Sequence, residues 1–138
     1  MSTTTFRTAN PYEQSFGYSR AVRRGDQIIV SGTTAVDPNS GELQHPGSAY
    51  GQTQAIFAEI FRAIKGLGGK VPTDIVRVRM FVADGKDSGD VARAMREAMD
   101  GHVAFAATMI CGSGFVDDAM KVEIEADAIV SSASEIQQ

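Results

Sequence analysis

The sequence has no tryptophan, a single cysteine and no run of about 18 apolar residues. Each absence closes off a class of protein. With Cys111 alone, no intrachain disulfide can form, which fits a reducing compartment. Without a long apolar run, no membrane-spanning helix is expected. The polar start, MSTTTFRTANPYEQ, contains no apolar signal core, so a cytoplasmic protein is the expectation. Aromatic residues make up only 7%, which leaves little for stacking nucleobases. A basic block is missing too. Thirteen Lys and Arg against 17 Asp and Glu give a net charge of −4, with an isoelectric point near 5.1. Such a chain is poorly suited to a phosphate backbone, and nucleic acid is not an expected partner.

What is present reads as one globular domain. The 138 residues are 43% hydrophobic and 22% charged, enough to bury a core. Residues 1–15 read as a polar lead-in. YSRAVRRGDQIIVSGTTAV then gives two short strands around a turn at Arg24, Gly25 and Asp26. Ile56, Ile60 and Ile64 recur every four residues with Phe57 and Phe61 beside them, which predicts a helix over 49–67, stopped by GLGGK. DIVRVRMFVAD is β-branched and alternating, hence a strand. DSGDVARAMREAMDG predicts a second helix, capped by Asp87 or Ser88, with Val91, Met95 and Met99 on one side. Residues 104–111 and 121–130 predict two more strands, and the tail SSASEIQQ is expected to fray. The order β-β-α-β-α-β-β predicts an α+β domain with both helices on one face of a sheet.

The last strand, VEIEADAIV, places Val122, Ile124, Ala126 and Ala128 on one face, and Glu123, Glu125 and Asp127 on the other. The other long strand offers Ile75, Arg77, Arg79, Phe81 and Ala83 on its uncovered face. A mixed apolar and charged face suits a subunit interface, so an oligomer is expected. Two readings of the charges stand side by side. Arg77 and Arg79 form a structural ladder with Glu123 and Glu125, or an arginine holds a carboxylate that orients water in an interface cleft.

Other signals are weaker. GLGGK follows a helix instead of preceding one and lacks phosphate-loop spacing. DGKDSGD lacks the glutamate that closes a calcium loop. His45 and His102 have no partner at metal-ligand spacing, so no metal site is expected. Cys111 ends an apolar strand and reads as a packed hydrophobe.

Three stretches carry a resemblance to a known family. FGYSRAVRRGDQIIVSGTTAVDPNSGELQ, QTQAIFAEIFRAIKGLGGKVPTDIVRVRMFVAD and KVEIEADAIV, read in order over residues 16–130, resemble the YjgF/RidA family, also known as L-PSP endoribonucleases. The resemblance implies a chorismate-mutase-like α+β fold and a homotrimer with clefts between neighbouring subunits. It also implies cofactor-free hydrolysis of reactive enamines and imines, such as 2-aminoacrylate. By the family's pattern, Tyr18 matches its YS tyrosine, Ser31 and Gly32 match its SG segment, and Glu125 matches the glutamate that orients the attacking water.

One expected residue is missing. Deaminating members carry PAR, whose arginine clamps the substrate carboxylate, and a small residue shortly after it. Here FAATM places Ala107 at the arginine and Met109 at the small residue, and residues 104–118 hold no arginine or lysine. The chain therefore resembles the arginine-less branch of the family. The resemblance then implies a small-molecule hydrolase with little 2-aminoacrylate deaminase activity. Glu125 would position water, and Tyr18, Ser31, Gly32, Ala107 and Met109 would line the site, with Arg79 the candidate replacement for the clamp. The alternative is a non-catalytic ligand-binding or chaperone-like homotrimer that uses the same cleft. By strand geometry, Glu125 is expected beside Tyr18 and Ser31, Glu123 beside Arg77 or Arg79, and Asp127 towards the rim.

Overall fold

The computed structural model describes residues 2–131. The tail that was expected to fray lies largely outside these residues. One six-stranded sheet carries two long helices. In chain order the elements are β1 (Thr3–Phe6), α1 (Pro11–Phe16), β2 (Ala21–Arg24), β3 (Gln27–Thr33), α2 (Ala49–Gly66), β4 (Ile75–Val82), α3 (Ser88–Met99), β5 (Ala106–Cys111) and β6 (Val122–Ile129). Across the sheet the order is β1-β2-β3-β6-β4-β5. Only β4 and β5 run parallel, joined by the α3 crossover.

Local chemistry accounts for the elements. β2 and β3 pair around the two-residue loop Gly25-Asp26, where Gly25 supplies a positive φ of 62°. Ser48 caps α2 by accepting from the Gly51 N–H at 3.0 Å. Its stripe of Ile56, Phe57, Ile60, Ala63 and Ile64 is fully buried against the sheet. In α3 the predicted side-chain cap is absent. Asp87 makes no capping bond, and its carboxylate lies 3.8 Å from the Lys121 ammonium instead.

Two expectations are corrected. Residues 1–15 are no mere lead-in: β1 extends the sheet by pairing with β2, from Thr3 opposite Arg24 to Phe6 opposite Ala21. α1 then starts where Asn10 accepts from the Tyr12 N–H at 2.9 Å and Pro11 takes the first helical position. The second concerns Ile75, expected on the uncovered face. It is fully buried in the core. The pairing of β4 with β6 shifts by one residue between Ile75 and Arg77, and this bulge turns Ile75 inward and leaves Val76 exposed.

β6 is the centre of the packing. Val122, Ile124, Ala126 and Ala128 are each 0–1% exposed beneath the helices. Ile124→Ala should cost about 2–5 kcal/mol in urea unfolding, because a cavity opens where little can relax. Val103→Ala, 84% exposed, should stay within about 0.5 kcal/mol of the parent. Equal losses at the two positions would contradict this placement of the core.

Candidate functional site

The uncovered face of β6 carries Glu123, Glu125 and Asp127, as alternation requires. The register decides what each acid meets. On β4, Arg79 lies opposite Glu125, and Phe81 lies opposite Glu123. Arg79 Nη1 sits 3.1 Å from Glu125 Oε1 and 3.6 Å from Asp127 Oδ2. Glu125 is thus held by arginine, and Arg79 is shared between two carboxylates. Glu123 meets a ring on that side and has no ion-pair partner within 4.0 Å among the described residues.

On its other side Glu123 faces β3. The β3–β6 pairing slips between Val30 and Thr33, so Ser31 and Gly32 together oppose Glu125 in a bulge. A methyl group added at Gly32 would collide with a Glu123 carboxylate oxygen. Glycine is what lets the acid lie over the strand. The Ser31 hydroxyl donates to the Ser19 carbonyl at 2.7 Å, and the Ser31 N–H donates to the Arg20 carbonyl at 2.9 Å. These bonds tie the segment before β2 to the bulge.

Around Glu123 opens a cavity of about 400 Å³, lined among others by Tyr12, Phe16, Tyr18, Arg20, Ser31 and Gly32, with Val116 and Met120 at the far side. α1 positions the aromatic wall. Glu13 is buried and accepts from the Thr8 N–H at 2.9 Å, and Gly17 closes the helix with φ 83°, turning the chain into Tyr18. Tyr12 and Phe16 meet edge to face at 5.8 Å. A second, shallower cavity of about 430 Å³ adjoins it, lined by Phe81, Ser113, Gly114, Phe115 and Glu125, with Gly32 and Glu123 common to both.

Several expectations change here. The structure brings Tyr18, Ser31 and Gly32 into one cavity with Glu123, while Glu125 lies opposite Ser31 and Gly32 on the strand and lines the adjoining cavity instead of the one that holds Tyr18. Glu123 does not pair with Arg77 or Arg79, because the register sets Phe81 opposite it. Arg79 lines neither cavity and is occupied by Glu125 and Asp127. Ala107 and Met109 line neither cavity. Parallel pairing sets them beside Val78 and Met80, both core residues, which puts them on the helix side of the sheet, Met109 packed against the core and Ala107 exposed, and Thr108 is the β5 residue beside Arg79. Cys111, expected to be packed, is exposed because β5 is an edge strand.

Arg20, Tyr12, Phe16, Val116 and Met120 were missed as cavity residues. For α1 a signal existed: Asn-Pro followed by Glu two residues on is a helix start. His102 lies elsewhere, donating to the Ile75 carbonyl at 2.9 Å and stacked on Phe105. No group of three or more His, Cys, Asp or Glu is placed to hold a metal among the described residues. No helix among them is long and apolar enough to cross a membrane.

Chemically, the two glutamates differ. Burial holds the Glu123 carboxyl above the usual carboxylate range, the Arg20 guanidinium pulls it back down, and the Glu125 charge pushes it up. An unpaired, partly desolvated carboxylate accepts a proton from water more readily than an ion-paired one.

The chain matches the family model described as Endoribonuclease L-PSP over residues 8–130. It is 35% identical over 121 residues to "Uncharacterized protein SCO2049" of Streptomyces coelicolor, covering 88% of this chain and 87% of that protein. It is 28% identical over 116 residues to the "Putative reactive intermediate deaminase TdcF" of Escherichia coli, covering 83% of this chain and 88% of that protein. Among solved structures it is similar to Rv2704 from Mycobacterium tuberculosis, described as a member of the YjgF/YER057c/UK114 family. The identity there is 29% and the TM-score 0.81, over 94% of this chain and 100% of that one.

The raised Glu123 carboxyl has a consequence for stability. The folded state holds the Glu123 proton more tightly than the unfolded chain does. Its contribution is therefore full at low pH and is lost as pH rises from the ordinary carboxylate range through the raised value. Glu123→Gln removes that loss. Its melting temperature should exceed that of the parent at pH 7, and the gap should close as pH falls into the ordinary carboxylate range. A variant less stable than the parent at pH 7 would mean that the ionised carboxylate is held by favourable contacts.

Proposed function

The chain belongs to the L-PSP endoribonuclease family, known also as YjgF/RidA, and from that membership we propose that it hydrolyses an imine, enamine or related reactive small molecule. The observation that carries this reading is Glu123, an acid without an ion-pair partner among the described residues, over a glycine bulge and in one cavity with Tyr18, Ser31 and Gly32. A relative of this chain bears the name of a reactive intermediate deaminase. In the proposed reaction Glu123 takes a proton from water while the water oxygen bonds to the C=N carbon. Glu123 returns that proton to the nitrogen, then takes the hydroxyl proton of the carbinolamine and passes it to the nitrogen as the C–N bond breaks and the carbonyl forms, which restores the carboxylate. The sum is imine plus water giving carbonyl plus ammonia, with no metal or organic cofactor in the step.

Glu123 takes the role that the family's pattern alone would give to Glu125. The reason is electrostatic: Glu125 is already engaged by Arg79 at 3.1 Å. Substrate preference follows from what the site lacks. Residues 104–118 offer no cation to clamp a carboxylate, and Arg79 is shared between Glu125 and Asp127. The wall of Tyr12, Phe16, Val116 and Met120 favours an apolar substituent instead. Activity on 2-aminoacrylate is accordingly weak in this reading.

The same reading includes a homotrimer in the cytoplasm. Ile29 and Ile129, 49% and 48% exposed, flank the charged ladder on the face that no helix covers. Apolar area of that kind, interleaved with charge, is the composition of a subunit contact. The shallower cavity beside Phe115 and Glu125 would then lie at the junction of two copies. Light scattering in dilute buffer should give a mass near three times 14.7 kDa. A monomer at micromolar concentration would remove the intersubunit cleft from the proposal.

Activity gives the second test. An imine made in situ from benzylamine by an amine oxidase should be hydrolysed faster with the protein than without it. 2-Aminoacrylate released by a serine dehydratase should be accelerated far less. Glu123→Gln should lower the rate on the benzylamine imine by about 100-fold or more, the usual scale for a general base. Glu125→Gln should have the smaller effect. If Glu125→Gln is the deleterious change, the two roles are exchanged. Saturable binding of the same imines without turnover would favour the non-catalytic, ligand-binding trimer.

A further inference from the structure

Arg20 lies between α1 and β2 and is only 2% exposed. A buried guanidinium ordinarily spreads its five N–H donors over carboxylates and carbonyls. This one makes a single hydrogen bond among the described residues, from Nη2 to the Gly32 carbonyl at 2.7 Å. Its Nε is buried with no partner. The guanidinium carbon lies 5.4 Å from the centre of the Tyr18 ring, a modest cation–π contact. For stability alone this is a poor arrangement, since a desolvated cation with an orphaned donor costs free energy that one backbone bond does not recover.

The groups around Glu123 indicate what the arrangement is for. From β3 it faces the uncharged bulge of Ser31 and Gly32. From β4 it faces Phe81, and from the loop before β6, Val116 and Met120. From its own strand comes Glu125, already bound to Arg79. From the segment before β2 come Tyr18 and Arg20, and Arg20 is the one cation lining the cavity among the described residues. Gly32 touches both charged side chains. Its carbonyl takes the Arg20 bond, and its α-carbon lies under the Glu123 carboxylate.

We propose that Arg20 is a positioning residue for Glu123: bonded to the Gly32 carbonyl, it fixes the bulge under the carboxylate and stabilises the ionised acid without occupying its oxygens. The contrast with Glu125 gives the argument its force. There the arginine lies in direct contact, and the carboxylate is spent on it. A counter-charge held out of ion-pair contact still attracts the carboxylate and leaves its oxygens free for water or substrate. The opposing effects of burial and of Arg20 on the Glu123 carboxyl agree with this geometry.

The inference rests on Glu123 being the functional acid, but its test needs no substrate. The side-chain carboxyl of Glu123 can be titrated by carbon NMR, its signal identified by its loss in Glu123→Gln. Arg20→Gln removes the charge and keeps an N–H donor for the Gly32 carbonyl. Its Glu123 midpoint should rise by about one pH unit, the lower end of what a nearby opposite charge contributes. Arg20→Lys should titrate much closer to the parent.

A parental midpoint in Arg20→Gln, or a shift in Arg20→Lys as large as in Arg20→Gln, would overturn the proposal. A double-mutant cycle covers the case in which Arg20→Gln folds but is too unstable to titrate. At pH 7 the substitution should be less destabilising in the Glu123→Gln background, and equal losses in both backgrounds would show no coupling and overturn the proposal. Where turnover is measurable, the acid limb of the rate profile should move up with the midpoint. An inactive parent would reject the hydrolase reading and leave the titration result standing.

Discussion

Strand β6 pairs with β3 on one side and β4 on the other, and the registers of these two pairings assign every role on the open face of the sheet. Arg79 opposite Glu125 gives an ion pair. Phe81 opposite Glu123 gives none. The slip that puts Ser31 and Gly32 together opposite Glu125 makes a bulge without a side chain beneath the Glu123 carboxylate. A one-residue change in the β4 pairing would exchange the faces of the whole strand, burying arginines and exposing Val78 and Met80. The inner face forbids that change, because Val122, Ile124, Ala126 and Ala128 are already fitted beneath the helices. Packing on one side of β6 thus fixes electrostatics on the other.

The two glutamates show how little of that electrostatics concerns stability. Arg79 and Glu125 are both more than a third exposed, and an ion pair of that kind contributes little in water. Its effect is on availability, since it takes Glu125 and Asp127 out of competition. Glu123 is left half-buried and unpaired, which is unfavourable for folding and useful for chemistry. The core carries the fold, so a single costly acid on the opposite face can be retained.

Much of this was legible in the sequence, for reasons of period. Alternation along VEIEADAIV separates core from open face correctly, and the four-residue spacing of Ile56, Ile60 and Ile64 gives the buried stripe of α2. Period assigns faces and nothing more. It cannot tell which residue of β4 stands opposite Glu123, because register is set by bulges at Ile75–Arg77 and Val30–Thr33 that leave no mark on the hydrophobic pattern. The same limit affected Ala107 and Met109, whose face depends on parallel pairing with Val78 and Met80. The N-terminal segment was lost differently. Thr3–Phe6 is four residues at a sheet edge and α1 is six residues long, too short for either to show a period. Only the Asn10-Pro11 start marks α1 in the sequence, and the reading of residues 1–15 as a lead-in passes over it.

Arg20 falls into a third class, a residue whose identity was plain and whose depth was not. In YSRAVRRGD it is one of three arginines within five positions, and sequence alone reads such a run as a solvated surface. Arg24 is exposed at the hairpin turn, and Arg23 reaches the Leu67 carbonyl at 2.7 Å. Arg20 is drawn inward because the Ser31 N–H bonds its own carbonyl and its side chain runs to Gly32. The positive charge missing from residues 104–118 is therefore not missing from the molecule. It lies in the cavity wall at Arg20, 2% exposed and bonded to the Gly32 carbonyl, so little of it is presented to a substrate as a bidentate clamp would be. A charge in that position acts on the carboxylate it faces, and discrimination among substrates passes to the shape and the apolar wall of the cavity, namely Tyr12, Phe16, Val116 and Met120.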